Sequence, residues 1–90
     1  MSSSENLLIH ALAVHAESAG TVRARVTVRM GDPEFGDRVW FEGTDRVKRE
    51  LEIVDIRRSD RLSTITFSGA EPDLKHFVGG TYLYGLDVTR

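Results

Sequence analysis

The sequence predicts an all-β domain: a small six-stranded, mainly antiparallel barrel of Greek-key-like order with one short helical turn. Two observations carry that prediction. Residues 21–29 alternate without interruption, Val22, Ala24, Val26 and Val28 against Arg23, Arg25, Thr27 and Arg29, and a period of two places one set on each face of a strand. Short β-rich runs then recur along the chain between clusters of Gly, Asp, Pro and Ser, about eight to twelve residues apart. That is the rhythm of a sandwich or a barrel.

The elements come in order along the chain. Residues 1–6 (MSSSEN) are polar and are expected to be a disordered lead-in to a single domain over residues 7–90. Residues 7–15 are apolar on both parities, as in a strand covered on both faces or closing a barrel. Residues 16–20 are small and polar and end in Gly20, which reads as a turn. Residues 21–29 are the half-buried strand. Residues 30–37 (MGDPEFGD) are a loop, dense in the residues that turn a chain.

Residues 38–42 put Val39 and Phe41 on one face and Trp40 on the other, unless a register shift of one moves Trp40 into the core. Gly43-Thr44-Asp45 turns the chain again. Residues 47–57 are ambiguous. Val47, Leu51, Val54 and Arg58 make a helical stripe, whereas Val47, Lys48–Glu50, Leu51, Ile53 and Asp55 give a broken strand pattern, and Leu51, Ile53, Val54 and Ile56 are β-formers. Strand is the expectation, because every neighbour reads as strand. Residues 62–68 form a strand around Ile65 and Phe67. Residues 71–77 (EPDLKHF) suit a short helical turn, with Pro72 near its start and Gly79-Gly80 beyond its end. Residues 81–89 close the fold, with Tyr82, Tyr84, Leu86 and Val88 in step.

Composition narrows the function classes. Ninety residues make one modest core. The chain is 40% hydrophobic and 29% charged, with a formal net charge of −2 and no cysteine. That charge gives no global attraction to nucleic acid or anionic lipid. The absence of cysteine removes disulfides, thiolate metal sites and a cysteine nucleophile. No basic residue precedes the apolar stretch at residues 7–14, which is far shorter than the ~20 residues that span a bilayer. A cytoplasmic protein with no membrane partner is the expectation.

Two local patterns then resemble a known family. Gly20-Thr21-Val22, followed by a strand and by Gly36-Asp37-Arg38-Val39-Trp40-Phe41-Glu42-Gly43, is similar to the core of the second domain of translational GTPases of the elongation factor Tu type. Ile65-Thr66-Phe67-Ser68-Gly69, Asp73-Leu74 and Gly80-Thr81-Tyr82-Leu83 resemble that domain's ending, in the same order. The resemblance implies a barrel that contacts RNA or packs on a neighbouring domain without doing chemistry. Nucleotide hydrolysis is not implied. The lysines, Lys48 and Lys75, follow Val47 and Leu74, whereas a phosphate-binding loop needs Gly-Lys-Ser/Thr.

Among candidate sites, the arginines lead. Arg23, Arg25 and Arg29 share a strand face, Arg57, Arg58 and Arg61 follow later, and ten of the twelve basic residues are arginines. Arginine suits planar, bidentate contact with phosphate or carboxylate. Together with Trp40 as a stacking surface they would make a site for single-stranded RNA. The alternative is a solvated face of cross-strand ion pairs, since residues 20–61 hold ten basic and nine acidic side chains. An outward Trp40 also suits a protein partner or a homodimer.

The remaining constellations are weaker. His10 and His15 fall on opposite faces of a regular strand and share no metal unless a bulge intervenes. His76 stands apart. Asp32, Glu34 and Asp37 fit turn chemistry and lack the spacing of a calcium loop. Ser68 has no nucleophile-elbow glycine in front of it. No cofactor, metal or catalytic residue is expected. The expectation is a stand-alone, non-enzymatic binding module for RNA or a protein, with a small enzyme or metal-dependent domain as the remaining alternative.

Overall fold

The computed structural model describes residues 7–59 and 62–85. Its strands are β1 (Leu8–Ser18), β2 (Thr21–Met30), β3 (Arg38–Glu42), β4 (Lys48–Arg58), β5 (Ser63–Ser68) and β6 (Tyr82–Gly85), with one helical turn, α1 (Glu71–Leu74), before β6. They hydrogen-bond in the order β1-β2-β5-β4-β3-β6 and close into a barrel. Every pairing is antiparallel. The expected disordered residues 1–6, the tail of the last strand and Arg61 lie outside the described residues.

Alternation decides the interior. Ile9 and Ala11, Val22, Ala24 and Val26, Val39 and Phe41, Leu51 and Ile53, Ile65 and Phe67, and Leu83 point inward and are buried. Closure removes the sheet edges that would otherwise pair with other chains. Trp40 lies between Val39 and Phe41 on the outer face, half-buried, so the register-shifted alternative does not occur. Pro72 stands in the first turn of α1, whose missing N–H costs nothing there. Leu74 of α1 and Phe77 just beyond it plug one end of the barrel. The Phe77 ring is 5.4 Å from both Phe41 and Phe67, edge-on to the latter.

The β1–β2 and β4–β5 pairings break step, the former also near its two ends, between Leu8 and Ile9 and between Ala16 and Ser18. In β1 the pairing with β2 skips Leu12, between Ala11 and Ala13. In β4 the pairing with β5 skips Val54, between Ile53 and Asp55. Each is a β-bulge, one extra residue that reverses the parity of the residues that follow it. Val14 and Ile56 therefore turn toward the core, while His15 and Arg57 turn outward. The broken alternation of residues 51–56 is this bulge.

Turns differ from expectation in one place. The β1–β2 hairpin runs to Ser18 and Thr21, whose hydroxyls lie 2.8 Å apart, and only Ala19-Gly20 turn. Pairing to β2 extends a segment that looks too polar for a strand. At the β3–β4 hairpin, Arg46 N donates to Gly43 O at 2.9 Å and Arg46 takes φ 65°. The β2–β3 loop is tied to β4: Gly36 N donates to Ile53 O, Ile53 N donates to Asp37 O, and Arg58 Nη2 donates to Pro33 O.

Candidate functional site

The arginines of β2 and β4 meet across β5. Strand register sets two transverse rows on the outer face: Ala13, Arg25, Thr64 and Arg57, and then His15, Arg23, Thr66 and Asp55. These eight residues line one depression of about 470 Å3. Thr64 and Thr66, half-buried on the central strand, form its floor. The longer side chains of β2 and β4 rise as walls about 10 Å apart, two interstrand spacings. An arginine from each wall can reach an anion seated over a threonine hydroxyl.

Both bulges border this trough, and they decide its chemistry. Without Val54 as an extra residue, Asp55 and Arg57 would keep the inward parity of Leu51 and Ile53. Without Leu12, His15 would turn inward. Bulges are enriched where a sheet re-aims a side chain.

Charge within the trough is only partly compensated. Arg23 pairs with Glu17, and Arg57 Nε lies 3.5 Å from Asp55 Oδ2. Arg25 has no carboxylate partner among the described residues. Both pairs are solvent-exposed, where an ion pair contributes about 0–1 kcal/mol. A ligand anion can therefore displace either carboxylate cheaply.

The other expected site residues separate. Arg29 stays on the outer face of β2 but does not line the trough. Arg58 turns to the β2–β3 loop, 3.2 Å from Asp32, and its role is to hold that loop. Trp40 belongs to another flank of the barrel, where it stacks on Tyr84 with ring centroids 4.6 Å apart. The joint surface of arginines and Trp40 expected from the sequence does not form.

That second flank holds a depression of about 520 Å3, lined among others by Trp40, Glu42, Thr44, Gly79, Tyr82 and Tyr84. The β3–β4 hairpin walls it and is braced by ion pairs. Arg49 grips Asp45 at 2.7 Å and reaches Asp73 at 3.3 Å. The hydrogen bond from Arg49, and a weaker one from the Val47 amide, hold the Asp45 carboxyl far below the usual carboxylate range, against some desolvation. The same contact raises Arg49. A Cβ added at Gly43 would sit 2.8 Å from Arg49 Nη1 and 2.9 Å from Asp45 Oδ1, so a larger residue there would push this ion pair aside.

The histidines part company. The Leu12 bulge puts His10 and His15 on the same outer face, but His10 stacks on Tyr82 and His15 lines the trough. Among the described residues no group of three His, Asp or Glu is placed to hold a metal ion. Asp37 accepts from Glu34 N at 2.9 Å, the turn role its loop suggests. No helix among the described residues is long and apolar enough to cross a membrane.

The aromatic flank was the feature that sequence reasoning missed. Its signal was present: Tyr82 and Tyr84 are in step, and that step proves to be the outward one, with Leu83 filling the interior. No protein-family model matches the chain, and no curated protein or solved structure matches it either.

Proposed function

We propose that this barrel is a non-enzymatic module that binds single-stranded RNA, with the phosphate backbone seated in the trough between β2 and β4. The observation that supports it is the placement of Arg25 and Arg57 on either side of Thr64. Two guanidinium forks and a hydroxyl are the donors a phosphate takes. In this reading the arginines and threonines of the trough hold and orient an anion, with no covalent step assigned to them. The resemblance to the second domain of translational GTPases points to the same class of ligand.

The overall charge of −2 makes this a local site, with few phosphate contacts. For single strands the logarithm of affinity falls by about 0.7 per phosphate neutralised for each tenfold rise in salt. Two or three contacts give a slope of about −1.4 to −2.1. Fluorescence anisotropy with a labelled RNA oligomer across a salt series tests this. Arg25→Ala and Arg57→Ala should each flatten the slope by about one contact. Binding indifferent to salt, or unchanged in both variants, overturns the reading.

A second reading rests on one observation. Phe35, at the tip of the β2–β3 loop, is 75% exposed, and Met30 nearby in sequence is 54% exposed. Exposed aromatics anchor protein interfaces. If this tip mediates self-association, sedimentation shifts with concentration and Phe35→Ser abolishes the shift; a strict monomer excludes it.

A further inference from the structure

The outer face of β1, β6 and β3 carries a row of rings that the arginine trough does not use. His10 on β1 stacks on its register partner Tyr82, with centroids 4.2 Å apart and planes within 3°. Trp40 on β3 stacks on its partner Tyr84 at 4.6 Å, and Lys48 Nζ lies 4.7 Å from the Trp40 ring centroid. Trp40 is thus flanked by Tyr84 from β6 and by Lys48 from β4. Tyr82 is different. His10 covers it from β1, and its side toward β3 opens into the second depression.

Glu42 stands on that open side. Continuing the β3–β6 register two places from the Trp40–Tyr84 pair sets Glu42 opposite Tyr82, and both line the depression. Lys48 is the register partner of Glu42 on β4 but turns over Trp40 instead. Glu42 therefore has no ion pair among the described residues. A ring face beside an acceptor-only carboxylate suits a flat group that carries N–H donors on its edge.

We propose that this depression takes one nucleobase of the bound strand, stacked on Tyr82 with its edge donating to Glu42. Guanine is the natural occupant, because its Watson–Crick edge presents two adjacent N–H donors that a carboxylate accepts together. The inference rests on the RNA reading above and extends it from phosphate contact to base selection.

The two depressions are close enough to serve one strand. Ala13 lines the arginine trough, and Gly79 lines the aromatic depression. A Cβ added at Gly79 would lie 2.9 Å from Leu12 O and 3.8 Å from Ala13 Cα. Among the described residues, the bulged segment of β1 lies between the sites. Gly79 and Gly80 add no side chain there, while Leu12 and Val78, both exposed, stand beside the passage. A free organic cation would also suit Tyr82 and Glu42, but it would leave the neighbouring arginines without a role. A nucleotide uses both.

The test titrates the full chain with guanosine, uridine and tetramethylammonium, following the amide signals of Gly80 and Tyr82. RNA hexamers of uridine alone, or with one guanosine, are then compared across a salt series. Guanosine should move both signals, and the guanosine hexamer should bind roughly tenfold more tightly than the all-uridine one, as a bidentate base contact discriminates. Glu42→Gln should erase that preference without changing the salt slope. Tyr82→Ala should weaken guanosine about tenfold through lost stacking. Salt-dependent binding of both hexamers with equal affinity overturns the base pocket and leaves the trough reading intact. Guanosine binding by a protein whose RNA affinity ignores salt does the reverse. Occupation by tetramethylammonium in place of guanosine replaces the base with a cation and overturns the proposal.

Discussion

Arg25 on β2 and Arg57 on β4 face the same residue, Thr64, from opposite sides of β5. Neither is adjacent to the other in sequence or in the sheet. Asp55, two residues before Arg57, is the carboxylate that lines this trough and competes there with an anion for Arg57. Asp55→Asn should therefore raise affinity for a phosphate ligand about fivefold, the worth of one unit charge removed at roughly 4 Å in water. RNA anisotropy at low salt measures it; an unchanged or lower affinity would place the anion elsewhere.

The plug at the barrel end should dominate stability. Phe77 is 2% exposed and touches two other core rings. Phe77→Ala should cost about 3–5 kcal/mol, a large share of the ~5–15 kcal/mol typical of a folded domain. Urea unfolding reads this directly. Phe35→Ser, at an exposed position, should stay within about 0.5 kcal/mol of the parent. Equal losses for the two would contradict the packing.

Arg46 holds a left-handed backbone, φ 65°, which costs a residue with a Cβ about 1–2 kcal/mol relative to glycine. Glycine's greater freedom in the unfolded chain offsets part of that. Arg46→Gly should stabilise by about 0.5–1 kcal/mol, seen as a higher urea midpoint at unchanged slope. A destabilised variant would mean that the Arg46 side chain matters more than its backbone.

Acid should loosen the β3–β4 hairpin first. The folded carboxyl of Asp45 titrates well below its unfolded value of about 3.9. A lowered folded value means stability that is complete above the unfolded one and is lost as pH falls toward the folded one. Thermal melts should be flat from about pH 7 to 5 and decline below about 4. Asp45→Asn should melt lower at neutral pH and show a shallower acid decline. Parallel curves for the two proteins would remove Asp45 as the cause.

The sequence displayed the interior with little ambiguity where alternation was unbroken. Val22, Ala24 and Val26 are buried and Arg23 and Arg25 exposed, as their spacing requires. It was opaque between Leu51 and Ile56, because one inserted residue turns a period of two into a pattern that also fits a helix. Tyr82 and Tyr84 were in step, but aromatic side chains suit either face, and only closure on β1 and β3 turned them outward.

Which side of its own strand each residue takes was settled by local chain geometry, since neighbouring side chains in an extended backbone must point in opposite directions. Hence the all-β class and the apolar lining were open to reading from the residues alone. Which outward side chains became neighbours was decided by tertiary structure. Strand order placed Arg25 and Arg57 around one threonine, the extra residues at Leu12 and Val54 re-aimed the side chains beyond them, and closure carried Trp40 to a separate flank. Those outcomes depend on pairing between segments distant in the chain, and no spacing within a single segment records it.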